Sequence, residues 1–310
     1  MTQAIARIEG RDRLSAGEDG APSPDSAHRS DDVSVKPANA FTIDVEEHFQ
    51  VSAFEAAVAR SDWEGLASRV ENNVFRLLDL LARHETKATF FTLGWVAERH
   101  PEMIRRIVSE GHELASHGYS HVRVNTQSAD AFREDVRRTK AILEDISGVR
   151  VLGYRAASFS IGQSTPWALP ILREEGHRYS SSTVPIAHDL YGDPAGQRFA
   201  YRPFPDDDFL EVPVTTLRLL GRNLPCGGGG FFRLLPYTYF RWGYGKTGRE
   251  SGQPCIFYLH PWEIDPDQPR IAGAAMKSRI RHYTNLGRTF NRLESLLRDF
   301  YWTSMAKAFL

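Results

Sequence analysis

The stretch 87–121, KATFFTLGWVAERHPEMIRRIVSEGHELASHGYSH, admits few folds. Residues 88–93 are apolar and rich in β-formers, the pattern of a short buried strand. From Pro101, a good first-turn residue, Met103, Ile104, Ile107 and Val108 recur at helical spacing, and Gly111 stops the helix. Residues 112–116 read as the next short strand. Strand, helix and strand within about thirty residues form a βαβ unit, which joins parallel strands. His117 and His121 then fall just past the C-terminal end of the second strand, the edge on which parallel β/α folds build their sites.

The spacing His117-x-x-x-His121 suits a metal. Residues four apart share one face of a helix, and a tight turn through Gly118 would also bring the two rings together. Imidazole is the commonest protein ligand for zinc and similar ions. The alternative is a pair of surface or turn-capping histidines, and a third ligand would decide between the two.

The composition is that of an ordinary globular chain: 310 residues, 41% hydrophobic, 25% charged, formal net charge −1. Near-zero charge argues against nucleic acid or an anionic membrane as the main partner. Cys226 and Cys255 are no disulfide framework and are expected as free thiols. No run of about 18 apolar residues marks a membrane span. Residues 1–39 contain few large apolar side chains, so a disordered tail is expected there, with one domain over 40–310. No apolar core follows a basic start, so no signal peptide is visible and a cytoplasmic location is expected.

Residues 41–45 read as a strand with Asp44 near its end. Alternation points Asp44 and Glu46 to one side and Val45 to the other, unless the chain bends after Val45 and presents Glu47 instead. Val70, Val74, Leu77, Leu78 and Leu81 make an amphipathic helix, and 129–143 make another. Residues 152–156 form a strand carrying Arg155, unusual where arginine is rarely buried unpaired. A helix from Thr165-Pro166 to Gly176, strands at 179–183 and 210–216, and a glycine-rich loop at 226–230 follow. That loop lacks the Gly-Lys-Ser/Thr of a phosphate loop. Residues 256–259 form a strand delivering His260-Pro261-Trp262. One long helix over 277–298 and a strand over 301–304 end the chain. About eight strands alternating with helices predict an α/β barrel.

Four strand ends thus carry polar groups: Asp44 and Glu46, His117 and His121, Arg155, and His260. These residues resemble the polysaccharide deacetylases with the NodB-type homology domain, a carbohydrate esterase group. TIDVE at 42–46 resembles the family's first motif, SHGYSH at 116–121 its metal-binding second, RAASF at 155–159 its third and Leu259-His260 its fifth. FTIDVEEHFQVSAFE, TFFTLGWVAERHPEMIRRI, GGGGFFRLLPY and FYLHPWEIDP resemble the deacetylases of exosortase-type exopolysaccharide loci, whose C-terminal extension would cover much of 190–310. Departures are Val45 for the usual second Asp, Ala157 for proline, and Ser180 for an Asp.

The resemblance implies a distorted (β/α)7–8 barrel that hydrolyses N-acetyl groups of hexosamine residues in a polysaccharide. It implies a divalent ion on Glu46, His117 and His121, zinc foremost, with cobalt, nickel or manganese as alternatives. Asp44 is the implied base, His260 the acid and Arg155 the partner of Asp44, while Asp265 could raise the pKa of His260. Tyr154, Phe159 and Trp262 are implied substrate contacts. Trp242, Phe231 and Phe232 are further stacking candidates, or plain core. The implied partners are an acetylated polysaccharide or oligosaccharide and the exopolysaccharide machinery. Two other readings remain: a small-molecule amide or cyclic-imide hydrolase on the same barrel, and a non-catalytic carbohydrate-binding scaffold. An open groove lined by exposed aromatics would favour a polymer, and a closed pocket a small substrate.

Overall fold

A computed structural model of the chain describes residues 38–188 and 192–310. The predicted tail, apart from its last two residues, lies outside them. An eight-stranded sheet is built from β1 (Asn39–Val45), β2 (Thr89–Thr92), β3 (Glu113–Ser116), β4 (Gly153–Tyr154), β5 (Tyr179–Ser180), β6 (Leu210–Glu211), β9 (Ile256–Leu259) and β10 (Trp302–Thr303), leaving β7 (Thr216–Leu219) and β8 (Arg222–Pro225) as a separate antiparallel hairpin. The sheet is parallel throughout and runs β10-β1-β2-β3-β4-β5-β6, with β9 also paired to β1. It is the curled, helix-covered half-barrel expected of the predicted fold class. β1 is its hinge, in register with β2 from Thr42 to Val45 and with β9 from Ala40 to Ile43. The C-terminal ends of β1, β3 and β9 therefore open on one edge.

Local sequence explains the covering helices. In α1 (Val70–Arg83), Val70, Val74, Leu77, Leu78 and Leu81 are all buried. Burying one such side chain contributes roughly 1.5–3 kcal/mol. Past β2, Gly94–Arg99 forms α2, which the periodicity did not reveal, and Pro101–Ser109 forms the expected α3. Ala129–Ser147 forms α4, capped by the Ser128 hydroxyl on Ala131 N–H and closed by Gly148 at φ 70°. α5 (Ala168–Glu174) is shorter than the span from Pro166 to Gly176.

The strands over 152–156 and 179–183 keep only Gly153–Tyr154 and Tyr179–Ser180, and two further predicted elements change course. The long helix over 277–298 is two, α8 (Met276–Tyr283) and α9 (Leu286–Asp299). Asn285 turns left-handed between them at φ 58°, and its amide donates to the Arg233 carbonyl at 2.8 Å. Asn tolerates that conformation better than most residues. The strand over 210–216 stops after Glu211, and the chain turns through Pro213, which has no N–H for a ladder, into the hairpin. The glycine-rich loop leads into α6 (Gly229–Leu234), and α7 (Tyr237–Ser251) follows. Cys226 and Cys255 are free and buried. No helix among the described residues is long and apolar enough to cross a membrane.

Candidate metal centre and active site

The end of β1 separates two adjacent carboxylates. Glu46 turns into the cavity beside Asp44. Glu47 turns away and caps α1: it accepts from the Ser68 hydroxyl, from Arg69 N–H at 3.0 and 3.1 Å, and from Val70 N–H at 3.3 Å. Of the two, only Glu46 stands with the histidines.

Oxygen and nitrogen atoms of Glu46, His117 and His121 lie within 4.8 Å of one another, and all three residues are buried. The His-x-x-x-His segment is a turn, not a helix: Gly118 lies at φ 76° and His121 at φ 53°. Asp135 on α4 holds the turn, accepting Tyr119 N–H at 3.1 and 3.2 Å. A Cβ at Gly118 would come within 2.9 Å of that carboxylate. His117 Nδ1 is 2.8 Å from the Arg155 carbonyl, which fixes its proton there and leaves Nε2 for a ligand. Burial holds His117 neutral, with its pKa lowered to about 4. Burial would raise the Glu46 carboxyl, but His121 and His260 beside it hold it at about 2.

The donor set fits a divalent ion. Glu46 Oε2 is buried without a hydrogen bond, although His121 Nε2 lies only 3.0 Å from it. Two imidazoles and a carboxylate are one of the common ligand sets of an open catalytic metal site.

Asp44 is held from the other side. Arg155 is fully buried and donates to Asp44 Oδ1 at 2.6 Å and to the Thr42 hydroxyl at 2.8 Å. Its remaining donors reach the carbonyl and hydroxyl of Ser181 at 3.1 and 3.0 Å. Where the resembled pattern has an Asp at 180, the carboxylate here comes from Glu211 on β6. Glu211 accepts Ser182 and Thr183 N–H at 2.9 and 3.0 Å and so braces the same segment.

His260 follows β9. Its Nδ1 is 2.8 Å from Glu263 Oε1, and its Nε2 is 3.6 Å from Glu46 Oε1. Glu263 is in turn held by Arg233 Nε at 2.6 Å. Burial opposes charge on His260, yet Glu46 and Glu263 raise its pKa to about 9. The acidic neighbour is thus Glu263, not Asp265, which is engaged by Arg69 at 2.8 and 2.9 Å. Glu263 was legible as the third residue after a helix-capping position, the capping-box spacing. Arg233 carried no such signal.

These groups floor a cavity of about 240 Å³. Phe159 and Trp262 line it, but both are buried, 7% and 5% exposed. The Trp262 indole N–H donates to Glu46 Oε1 at 3.2 Å, so it orients a candidate ligand. Tyr154 is not brought to the cavity: it is 1% exposed and packs on Phe132 and His177. Phe231 lines the wall, Phe232 is core, and Trp242, 45% exposed, lies elsewhere.

Residues 63–179 match the polysaccharide deacetylase family, and residues 181–310 match a domain of unknown function, DUF3473. A peptidoglycan-N-acetylglucosamine deacetylase of Bacillus cereus is 40% identical over 73 residues, 24% of this chain and 26% of that protein. A chitooligosaccharide deacetylase of Rhizobium leguminosarum bv. trifolii is 36% identical over 64 residues, 21% of this chain and 30% of that protein. The matched stretch thus spans less than a third of either relative. Two solved structures share the fold. One, a candidate polysaccharide deacetylase of Mycobacterium smegmatis, has a TM-score of 0.56 at 20% identity, covering 86% of this chain and 87% of that one. The other, from Pseudomonas aeruginosa PAO1, has a TM-score of 0.53 at 19% identity, covering 84% and 83%. The chain is thus similar to polysaccharide deacetylases over residues 63–179, and its likeness to the two solved structures is one of fold.

Proposed function

We propose that the chain is a metal-dependent N-deacetylase of hexosamine residues in a polysaccharide or oligosaccharide. The observation that carries this reading is one cavity floor holding Glu46, His117 and His121 within 4.8 Å of one another, beside Asp44 and His260. A divalent ion held by Glu46, His117 and His121 supplies Lewis acidity toward a carbonyl and lowers the pKa of water. Zinc suits this nitrogen-and-oxygen set best, with cobalt, nickel and manganese as alternatives. The resemblance of 41–55 and 257–266 to exosortase-associated proteins supports a place in exopolysaccharide synthesis.

The chain's own groups divide the proton work. Asp44 accepts the proton of the attacking water, and Arg155, 2.6 Å from its Oδ1, aims it. His260 gives a proton to the departing amine from Nε2 while Glu263 holds Nδ1. Arg233 fixes Glu263, and Trp262 fixes Glu46. Every member of this set has a defined partner, which favours catalysis over a decayed scaffold. The cavity opens to solvent, as a glycan substrate requires.

The test uses two variants. Asp44→Asn should keep bound metal and lose about 10²–10⁴-fold in turnover. His260→Ala should also keep metal, and should lose less on substrates with a better leaving group. Equal losses on good and poor leaving groups would remove His260 from the acid role.

A further inference from the structure

The two oxygens of Glu46 differ. Oε1 accepts the Trp262 indole N–H at 3.2 Å, while Oε2 is the buried oxygen without a hydrogen bond. An indole has a single N–H, fixed in the plane of its ring, so whatever sets that plane sets where the proton points. His282 lies against that plane. Its ring stacks on the Trp262 ring with centroids 3.9 Å apart and an interplanar angle of 15°, the shortest ring–ring contact among the described residues. The His260 ring is also nearly parallel to the indole, at 5.1 Å and 16°.

His282 is itself fixed. Gln268 Nε2 donates to the Trp262 and Asp265 carbonyls at 2.8 and 2.9 Å, which orients the amide and turns its Oε1 to His282 Nε2 at 2.7 Å. The imidazole therefore carries its proton on Nε2 and donates it to Gln268. The His282 carbonyl accepts from Arg233 at 2.9 Å, and Arg233 Nε reaches Glu263, the partner of His260. Phe54 packs on the His282 ring as well, with centroids 4.6 Å apart. Trp262, Gln268 and His282 are all buried, so water competes little for these contacts.

We propose that His282 is a positioning residue for the metal centre: stacked on Trp262 and held by Gln268, it aims the indole N–H at Glu46 Oε1 and leaves Oε2 for the ion. The inference rests on the candidate centre of Glu46, His117 and His121. Groups that hold a ligand from behind commonly govern metal affinity 10–100-fold. Trp262, Gln268 and His282 all belong to 181–310, whereas the three candidate ligands precede it. The segment matched to a domain of unknown function thus acquires a task, the orientation of a ligand that another part of the chain supplies.

Zinc affinity of the full chain, measured by competition with a chromophoric chelator, tests this with two substitutions that separate the ring from the hydrogen bond. His282→Gln keeps a donor for Gln268 and removes the ring, and should weaken zinc binding about 10–100-fold. His282→Phe keeps the ring and removes the donor. It should hold zinc as tightly as the unsubstituted chain, although its melting midpoint falls because Gln268 loses a partner. Trp262→Phe has no N–H to aim, so adding His282→Gln to it should cost no further affinity. Unchanged affinity in His282→Gln, an equal loss in His282→Phe, or a further loss in the double variant would overturn the positioning role and leave the metal centre standing. An unsubstituted chain that binds no zinc would overturn the metal centre, and this inference with it.

Discussion

Glu46 and Glu47 are neighbours in the chain with unrelated work. One faces two imidazoles and the other closes the first turn of α1. Glu46→Ala should therefore abolish metal binding in elemental analysis and leave the melting midpoint of the metal-free chain nearly unchanged. Glu47→Ala should keep the metal and cost about 1–2 kcal/mol of stability through the lost cap. The reverse pattern would place the wrong carboxylate in the cavity. At this scale strand alternation sufficed for Asp44 and Glu46, because β1 is regular up to Val45. It could not reveal the partners of His260. Arg233 meets Glu263 only because α6 packs beneath the turn Pro261–Ile264, a contact 30 residues apart in sequence. Tyr154 was misplaced for the opposite reason. Two residues of β4 are too few to show which face is core.

Among the elements, the turn from His117 to His121 depends most on its neighbour. Asp135 on α4 accepts Tyr119 N–H, and burial raises its pKa to about 6 although Tyr119 and Arg138 oppose the rise. The folded chain keeps that proton up to about pH 6, while the unfolded chain releases it near 3.8. Its contribution to stability is therefore full below the lower value and lost as pH rises through the upper one. Asp135→Asn retains an acceptor without the charge. It should raise stability above pH 6 by at most about 2–3 kcal/mol, seen as a higher melting midpoint, and change little near pH 4. Thermal melts across that range check it, and a lower midpoint at every pH would contradict it. Helices with a sharp apolar period, such as α1 and α3, were legible in the chain. The division of α8 from α9 was not, since Asn285 interrupts the helix by a backbone turn that leaves the surrounding polar pattern intact.

For the whole molecule, a strand–helix–strand unit with two histidines at its end was enough to announce a parallel β/α fold. What it could not announce was closure. β9, β10, α6 and α8 come from the last third of the chain, yet β9 and β10 pair with the first strand and the two helices line the cavity. That arrangement depends on contacts spanning most of the sequence. The central claim joins the two ends: a metal on Glu46, His117 and His121 serves Asp44 and His260 in removing acetate. Acetate release from a fully N-acetylated glucosamine pentamer is the direct measurement, made on the zinc-loaded chain, after chelation, and on zinc-loaded Asp44→Asn. Release by the loaded chain alone, with zinc still bound to the variant at one ion per chain, is the predicted result. Undiminished release after complete removal of the metal, or from the variant, would contradict the account.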